Sequence, residues 1–179
     1  KLNGKKLIEN IYKRYPYFTL KSEIACGKDN IKLEKSPCFF TIGYEGKTID
    51  EYLNQIIKEN IYLIIDVRKN PVSMKYGFSK KFLFKTLPES NIQYIHMPEL
   101  GIETEKRKNL NSVEDYKKLF VEYEKEISNK PVLIEKIIKL YQNKKRIGLT
   151  CFEKEYIQCH RSIISKKIEY NYGIKVSHI

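Results

Sequence analysis

The sequence has no long hydrophobic run. No apolar segment approaches the roughly 18 residues that a membrane-spanning helix needs, and the N-terminus lacks the pattern of a signal peptide. Internal repeats and low-complexity segments are also absent. We therefore predict no membrane partner, and the 179 residues predict one domain with room for a small appendage. The first residue is Lys1 rather than Met, so we keep open that this is a fragment of a longer protein.

Cysteine is scarce, with only Cys26, Cys38, Cys151 and Cys159. A chain of this length can bury a sizeable core, and four cysteines do not suggest a disulfide framework. A reducing compartment fits better, because thiols stay available there for chemistry or for metal binding. We therefore predict a cytoplasmic location.

Positive charge is in large excess. The net charge is +12 and the isoelectric point is near 9.4. A field of this size attracts polyanions, which predicts nucleic acid or a phosphorylated small molecule as the partner. The alternative is that abundant lysine, asparagine and isoleucine reflect only an AT-rich genome, since arginine, the better reader of phosphate and bases, is much rarer than lysine.

Hydrophobic periodicity predicts alternating strands and helices from residue 37 onward. Apolar runs predict strands over 38–42, 61–67, 92–97, 146–151 and 174–179. Helical spacing, with Thr48, Ser79, Ser112 and Pro131 as start signals, predicts the helices between them. A last helix should run from about Ser162 to Asn171.

This order predicts an α/β fold of three layers: a doubly wound, mostly parallel sheet of about five strands with helices on both faces. Residues 37–179 should form this domain. Residues 1–36 are expected to be an appended segment, helical at its start and interrupted at Pro16.

Polar residues follow four of the predicted strands. In such folds ligands bind at the carboxyl ends of the strands, so we expect one site there. Its candidate residues are Gly43, Tyr44, Asp66, Arg68, His96, Cys151, Glu153, His160 and Arg161, with Ser73 and Tyr76 on the loop after the second strand.

Several of these segments resemble the domain-of-unknown-function 488 family over residues 39–179. The matching segments, in order, are TIGYEGKTIDEYL, LIIDVRKNPVSMKYGFSKKFL, IQYIHMPELG and LTCFEKEYIQCHRSIISKKI. The resemblance implies a compact cytoplasmic α/β domain with an active site, and it implies no particular reaction.

A weaker similarity links the Asp-Val-Arg strand end and the cysteine after a later strand to rhodanese-like domains. In rhodaneses the cysteine lies in a tight loop that leads directly into a helix. Here Phe152, Glu153 and Lys154 follow Cys151, and the predicted helix begins about ten residues later. A short anion-binding loop at Cys151 is therefore not expected.

The candidate residues suggest two kinds of chemistry. Arg68, His160 and Arg161 would bind phosphate, while Asp66 or Glu153 would transfer a proton or stabilise a cationic centre, as in glycosidic-bond cleavage. Cys151 could instead be a nucleophile activated by nearby cations. For each residue a structural role is the alternative: an ion pair for Asp66 and Arg68, burial for Cys151, a solvated charge for Glu153, and core packing for His96 and Tyr94.

A metal site is a further alternative for Cys151, Cys159 and His160. The gap of seven residues and the adjacent Cys-His differ from the usual zinc spacing, and a fourth ligand would have to come from His96, Cys26 or Cys38. We therefore predict no metal and no cofactor.

Because adjacent residues in an extended loop point in different directions, we also expect Cys159 to pack inward while His160 and Arg161 support anion binding.

The predicted function is a hydrolase or transferase acting on nucleic acid or a nucleotide. The alternatives are a cysteine-dependent transferase of rhodanese-like type, and a non-catalytic module that binds nucleic acid or a protein. Fast alkylation of Cys151 would favour catalysis over a binding module.

Overall fold

The computed structural model describes residues 4–22, 36–108, 110 and 112–179. Cys26 lies outside this part of the chain. Within it, five strands form one parallel sheet: β1 (Cys38–Gly43), β2 (Leu63–Asp66), β3 (Gln93–His96), β4 (Arg146–Cys151) and β5 (Val176–His178). Their order across the sheet is β3-β2-β4-β1-β5.

Seven α-helices accompany the strands in the described residues: α1 (Gly4–Arg14), α2 (Pro16–Lys21), α3 (Ile49–Lys58), α4 (Lys80–Thr86), α5 (Val113–Ser128), α6 (Pro131–Lys144) and α7 (Arg161–Tyr172). Short 3-10 helices occupy Pro88–Ser90, Pro98–Leu100, Glu105–Arg107 and Tyr156–Gln158. The sequence order of strands and helices agrees with the prediction.

Residue types explain where these helices begin and end. Thr48 and Ser112 each form a reciprocal capping box with an acidic residue three positions later, and Ser79 accepts a hydrogen bond from the Phe82 amide. Pro131 occupies the first turn of α6. Gly173 ends α7 with a positive φ of 63°, a conformation that glycine adopts without steric cost.

Two buried clusters of side chains cover the faces of the sheet. Residues of β1, β2 and β4 pack with α5, α6 and α7 on one face. Alternate residues of β1 and β2 pack with α3 and α4 on the other face, together with Tyr17 of α2. The predicted three-layer fold with helices on both faces is therefore confirmed.

The described helices also bear on the membrane prediction. None of them is both long enough and apolar enough to cross a bilayer. Residues 1–36 remain a predicted appendage, although the Tyr17 amide of α2 donates to the Asn54 side chain of α3 at 2.9 Å.

Candidate functional site

The carboxyl ends of the strands bring the predicted site residues to one edge of the sheet. Gly43 of β1 lies in register with Cys151 of β4, and Asp66 of β2 lies in register with His96 of β3. Strand alternation then separates the side chains, because neighbouring positions point to opposite faces. Asp66 contacts residues on the α3–α4 side, whereas Cys151 belongs to the core on the α5–α7 side.

Asp66 and Arg68 form a buried ion pair. The shortest distance, from Arg68 Nη2 to Asp66 Oδ2, is 2.5 Å, and the side chains are 0% and 6% exposed. Arg68 also donates to the Tyr44 hydroxyl at 2.6 Å and to the Phe78 carbonyl at 2.8 Å, while the Tyr94 hydroxyl donates to Asp66 at 2.7 Å. Burial disfavours the charged guanidinium, yet the bond to Asp66 raises the pKa of Arg68. These contacts fit the structural alternative for the pair.

A cavity of about 430 Å³, which we call the basic cavity, opens beside this ion pair. Its described lining includes three cationic residues, Arg68, Lys75 and Arg107, and no acidic residue. Lys75 and Arg107 form no ion pair within the described residues. The rest of the lining is Tyr44, Asn70, Val72, Ser73, Met74, Cys151 and Phe152. The lining of the basic cavity is therefore cationic, and of its three cations only Arg68 has an ion-pair partner among the described residues.

Aromatic packing shapes the basic cavity. The Tyr44 ring stacks on Phe78 with centroids 4.2 Å apart and contacts the edge of Phe152 at 5.4 Å. Lys75 Nζ donates to the Tyr44 carbonyl at 3.0 Å. The loop that carries Lys75 is thereby fixed against the end of β1.

Cys151, Cys159 and His160 form a second feature, which we call the thiol–imidazole cluster. All three residues are buried, and one ligand atom from each lies within 4.8 Å of the other two. Cys159 Sγ is 3.8 Å from His160 Nδ1. Cys159 packs inward as expected, but His160 is buried beside it, so the expectation that the two side chains diverge is wrong. Cys159 has extended backbone angles and His160 has helical ones, so the backbone turn at the start of α7 brings both side chains to the same point.

Neighbouring groups orient this cluster. His160 Nε2 lies 3.1 Å from the Val67 carbonyl, and since that oxygen only accepts, Nε2 carries the hydrogen and Nδ1 is left facing the sulfurs. Arg161 Nε donates to Cys159 Sγ at 3.2 Å, and the Cys151 thiol donates to a Glu153 carboxylate oxygen at 3.1 Å. Each sulfur therefore has a hydrogen-bond partner outside the three residues of the cluster.

The contacts shift the pKa values of the two thiols in opposite directions. The hydrogen bond to Cys159, and then burial, raise the pKa of Cys151 well above its ordinary value. Burial opposes ionisation of Cys159 too, but the Cys151 thiol, the His160 imidazole and the Arg161 guanidinium together lower its pKa well below the ordinary value. Burial likewise disfavours a charged His160, and the adjacent Cys159 nevertheless raises the His160 pKa.

A second cavity of about 290 Å³ lies on the α5–α7 side of the edge. Glu153, Cys159 and His160 line it together with Arg107, which also lines the basic cavity. Burial raises the pKa of Glu153. The remaining lining is Ile102, Thr104, Lys108, Leu110, Tyr116, Leu119, Phe120 and Gln158.

Gly43 at the end of β1 allows the segment after β4 to approach closely, because it has no Cβ. A Cβ at this position would lie 1.9 Å from the Glu153 carbonyl oxygen and 2.9 Å from Arg161 Nη2. Arg161 itself is 1% exposed and donates from Nη2 to that same carbonyl. Both residues thus position the segment after β4, and their predicted role in ligand binding remains a prediction.

The other predicted binding residues are dispersed. Tyr44, Arg68 and Ser73 line the basic cavity, whereas His160 lines the second cavity. His96 bonds to the Arg68 carbonyl and to Lys80, which fits a structural histidine. Tyr76 is 79% exposed and contacts Phe82. Of the proposed metal ligands, Cys38 lies at the opposite end of β1 from Gly43.

Sequence reasoning missed Lys75 and Arg107. Lys75 lies in a loop that was recognised, but among 34 lysine and arginine residues its position carried no special signal. Arg107 lies in a short 3-10 helix far along the chain, and nothing local indicates that it reaches this edge.

The fold and the polar strand edge define an α/β domain of the doubly wound class. Residues 48–168 match the family described as Domain of unknown function DUF488, which covers more than half of the chain, so the protein belongs to this family. No curated protein and no solved structure matches the sequence.

Proposed function

We propose that this protein is an enzyme that acts on nucleic acid or a nucleotide and binds the phosphate in the basic cavity. The observation that carries the proposal is the convergence of Arg68, Lys75 and Arg107 on one cavity at the carboxyl edge of a parallel sheet. Ligands of open α/β sheets bind at this edge. A cytoplasmic location would keep the neighbouring thiols reduced and would give access to such substrates.

Charge supports an anionic ligand. Asp66 compensates the charge of Arg68, whereas Lys75 and Arg107 form no ion pair within the described residues, although the charge of Lys75 helps to lower the pKa of Glu51. Two cations without ion-pair partners at one cavity attract a phosphate, and water screens the charge of the half-buried Lys75 less than that of the exposed Arg107.

Exposed apolar side chains favour a nucleotide over a simple inorganic anion. Val72 and Met74 line the basic cavity and are 84% and 102% exposed, and Tyr76 on the same loop is 79% exposed. Bases stack on aromatic and apolar side chains without requiring a particular sequence. A phosphate in the cavity and a base on this loop would therefore bind together.

The two cavities suggest where chemistry would occur. Asp66 is fully buried in its ion pair and serves to hold Arg68, which leaves Glu153 as the carboxylate that lines a cavity and can act as an acid or base. Arg107 lines both cavities and could bind a phosphate while the reacting group lies near Glu153. Hydrolysis or group transfer at a nucleotide fits this arrangement.

The cysteine-dependent transferase is less well supported. Cys151 borders the basic cavity but is only 1% exposed, and its thiol donates to Glu153. A nucleophile has to reach its substrate, and this geometry instead favours a role inside the protein.

Binding can be tested by fluorescence anisotropy with a labelled single-stranded oligonucleotide and by calorimetry with nucleoside monophosphates. Arg107→Ala should weaken binding by about 1.5–3 kcal/mol, the scale of a hydrogen bond to a charged group. Lys139→Ala removes an equal charge from an exposed site on α6 outside both cavities and should leave the affinity unchanged. Equal losses in the two variants would refute binding in the basic cavity.

Catalysis needs a separate measurement. Mass spectrometry of oligonucleotides and nucleotides after incubation with the protein should show a product that Glu153→Gln does not form. Binding without any product in a broad panel would support the non-catalytic module instead.

A further inference from the structure

The thiol–imidazole cluster combines two thiols and one imidazole at a single buried point. We propose that Cys151, Cys159 and His160 bind a zinc-class divalent metal ion, whose fourth position faces Glu153. This proposal does not depend on nucleotide binding in the basic cavity.

The donor set fits the metal. Thiolate sulfur and imidazole nitrogen are the ligands that zinc prefers, and three protein ligands with one further position are typical of catalytic zinc centres. Carboxylates and carbonyls, which magnesium and calcium prefer, are absent from the three ligands. Zn²⁺ is therefore the ion expected in a reducing compartment.

The geometry requires only a small contraction. One ligand atom from each residue lies within 4.8 Å of the others. The centre of an equilateral triangle with that side is about 2.8 Å from each corner, so each atom would move inward by roughly half an ångström to reach zinc bond lengths of about 2.0–2.3 Å. Side-chain torsions can supply a shift of that size.

The surroundings resemble those of an oriented metal ligand. His160 Nε2 is bound to the Val67 carbonyl, which points Nδ1 at the sulfurs, and a metal-binding histidine usually donates its other N–H to a carbonyl or carboxylate in this way. The Arg161 N–H on Cys159 Sγ would stabilise a metal-bound thiolate. These contacts are made by Val67, just after β2, and by Arg161 at the start of α7, so they fix the cluster from two sides.

Glu153 lies beside the position where a fourth ligand of the metal would bind. One of its carboxylate oxygens lies 3.1 Å from Cys151 Sγ, and Glu153 lines the second cavity with Cys159 and His160. A metal held by the cluster would thus be buried in the protein on one side and would face a carboxylate and a cavity of about 290 Å³ on the other.

The test measures the metal directly. The full chain is incubated with Zn²⁺ under reducing conditions, excess metal is removed, and bound zinc is quantified by elemental mass spectrometry. About one ion per chain is expected, and Co²⁺ in its place should give a thiolate-to-cobalt absorption band. Cys151→Ser and Cys159→Ser should each lower the affinity by more than about 100-fold, beyond the effect of losing a hydrogen-bond partner of a ligand. Cys38→Ser, at the opposite end of β1, should leave the affinity unchanged.

A second measurement needs no variant and so covers the case in which the serine variants do not fold. In the unaltered protein, at a urea concentration that lets iodoacetamide reach the two buried thiols, zinc should protect Cys151 and Cys159 from alkylation and a chelator should remove the protection, whereas alkylation of the half-buried Cys38 should be the same in both states. Zinc retention below about a tenth of an equivalent, or protection that does not distinguish Cys38 from the other two thiols, would overturn the proposal. So would a Cys151–Cys159 disulfide in a protein that retains no zinc once reduced.

Discussion

At the scale of single residues, Asp66 and Arg68 form a buried ion pair that supports the wall of the basic cavity. Asp66 accepts from Arg68 and from Tyr94, and Arg68 extends the network to Tyr44 and to the Phe78 carbonyl. Tyr44 and Arg68 both line the basic cavity. The ion pair therefore fixes one wall of the cavity and holds the loop after β2.

This arrangement predicts a large cost for neutralising Asp66. Asp66→Asn keeps the shape of the side chain but leaves the Arg68 charge uncompensated at 6% exposure, which should destabilise the fold by about 3–5 kcal/mol. Urea denaturation measures the change in the free energy of unfolding. Tyr94→Phe, which removes one hydrogen bond and keeps the charge balance, is the matched comparison and should cost less. A loss below about 1 kcal/mol in Asp66→Asn would contradict the structural role and favour Asp66 as an acid or base.

At the scale of secondary-structure elements, α3 follows β1 after a short turn and packs on the sheet face that α4 also covers. Thr48 Oγ1 accepts from the Glu51 amide at 3.2 Å, and the Glu51 carboxylate accepts from the Thr48 amide at 2.7 Å. Tyr52 of α3 reaches the end of β4, where its hydroxyl donates to Thr150. The start of α3 is thus linked to the strand that ends at Cys151.

Loss of this cap should have a measurable cost. Thr48→Ala removes the acceptor for the Glu51 amide and should destabilise the protein by about 1 kcal/mol, whereas Thr48→Ser keeps the acceptor and should cost much less.

The hydrogen bonds from Thr48 to the carboxylate lower the pKa of Glu51. A carboxylate whose pKa is depressed by folding stabilises the protein above its unfolded pKa, and this contribution is lost as the pH falls through the folded pKa. The penalty for Thr48→Ala should therefore shrink in acid, and thermal melts at several pH values would show it. A penalty that grew in acid would contradict the assignment.

Most elements were predictable because their signals are local. The start signals Thr48, Ser79, Ser112 and Pro131 each mark a helix in the structure, and the apolar runs mark all five strands. Parallel pairing then followed from the alternation of strands and helices. Parallel pairing placed the carboxyl ends of all the strands at one edge of the sheet, but it determined neither the strand order nor the side-chain contacts.

The composition of the site was less predictable because it depends on contacts between distant segments. The seven-residue gap between Cys151 and Cys159 gave no zinc signal, but the Tyr156–Gln158 turn returns the chain to the end of β4. Arg107 reaches the two cavities through a loop with no regular pattern. Strand alternation also placed Asp66 and Cys151 on different faces, although their shared edge was predicted correctly.

At the scale of the whole molecule, the net charge of +12 has two explanations. It could serve polyanion binding, or it could reflect genome composition alone. The basic cavity favours the first, because it brings together three cations, two of them without an ion-pair partner among the described residues, where ligands of this fold class bind. Many of the other lysines are distributed over exposed helix faces, where they would add only non-specific attraction.

The salt dependence of oligonucleotide binding tests the central claim most directly. The logarithm of the binding constant should fall linearly with the logarithm of salt concentration, by about 0.7 for each phosphate neutralised on a single strand. Arg107→Ala should reduce the magnitude of that slope by about 0.7, and Lys139→Ala should leave it unchanged. Absence of binding at about 50 mM salt, or identical slopes in the unaltered protein and Arg107→Ala, would contradict phosphate binding in the basic cavity.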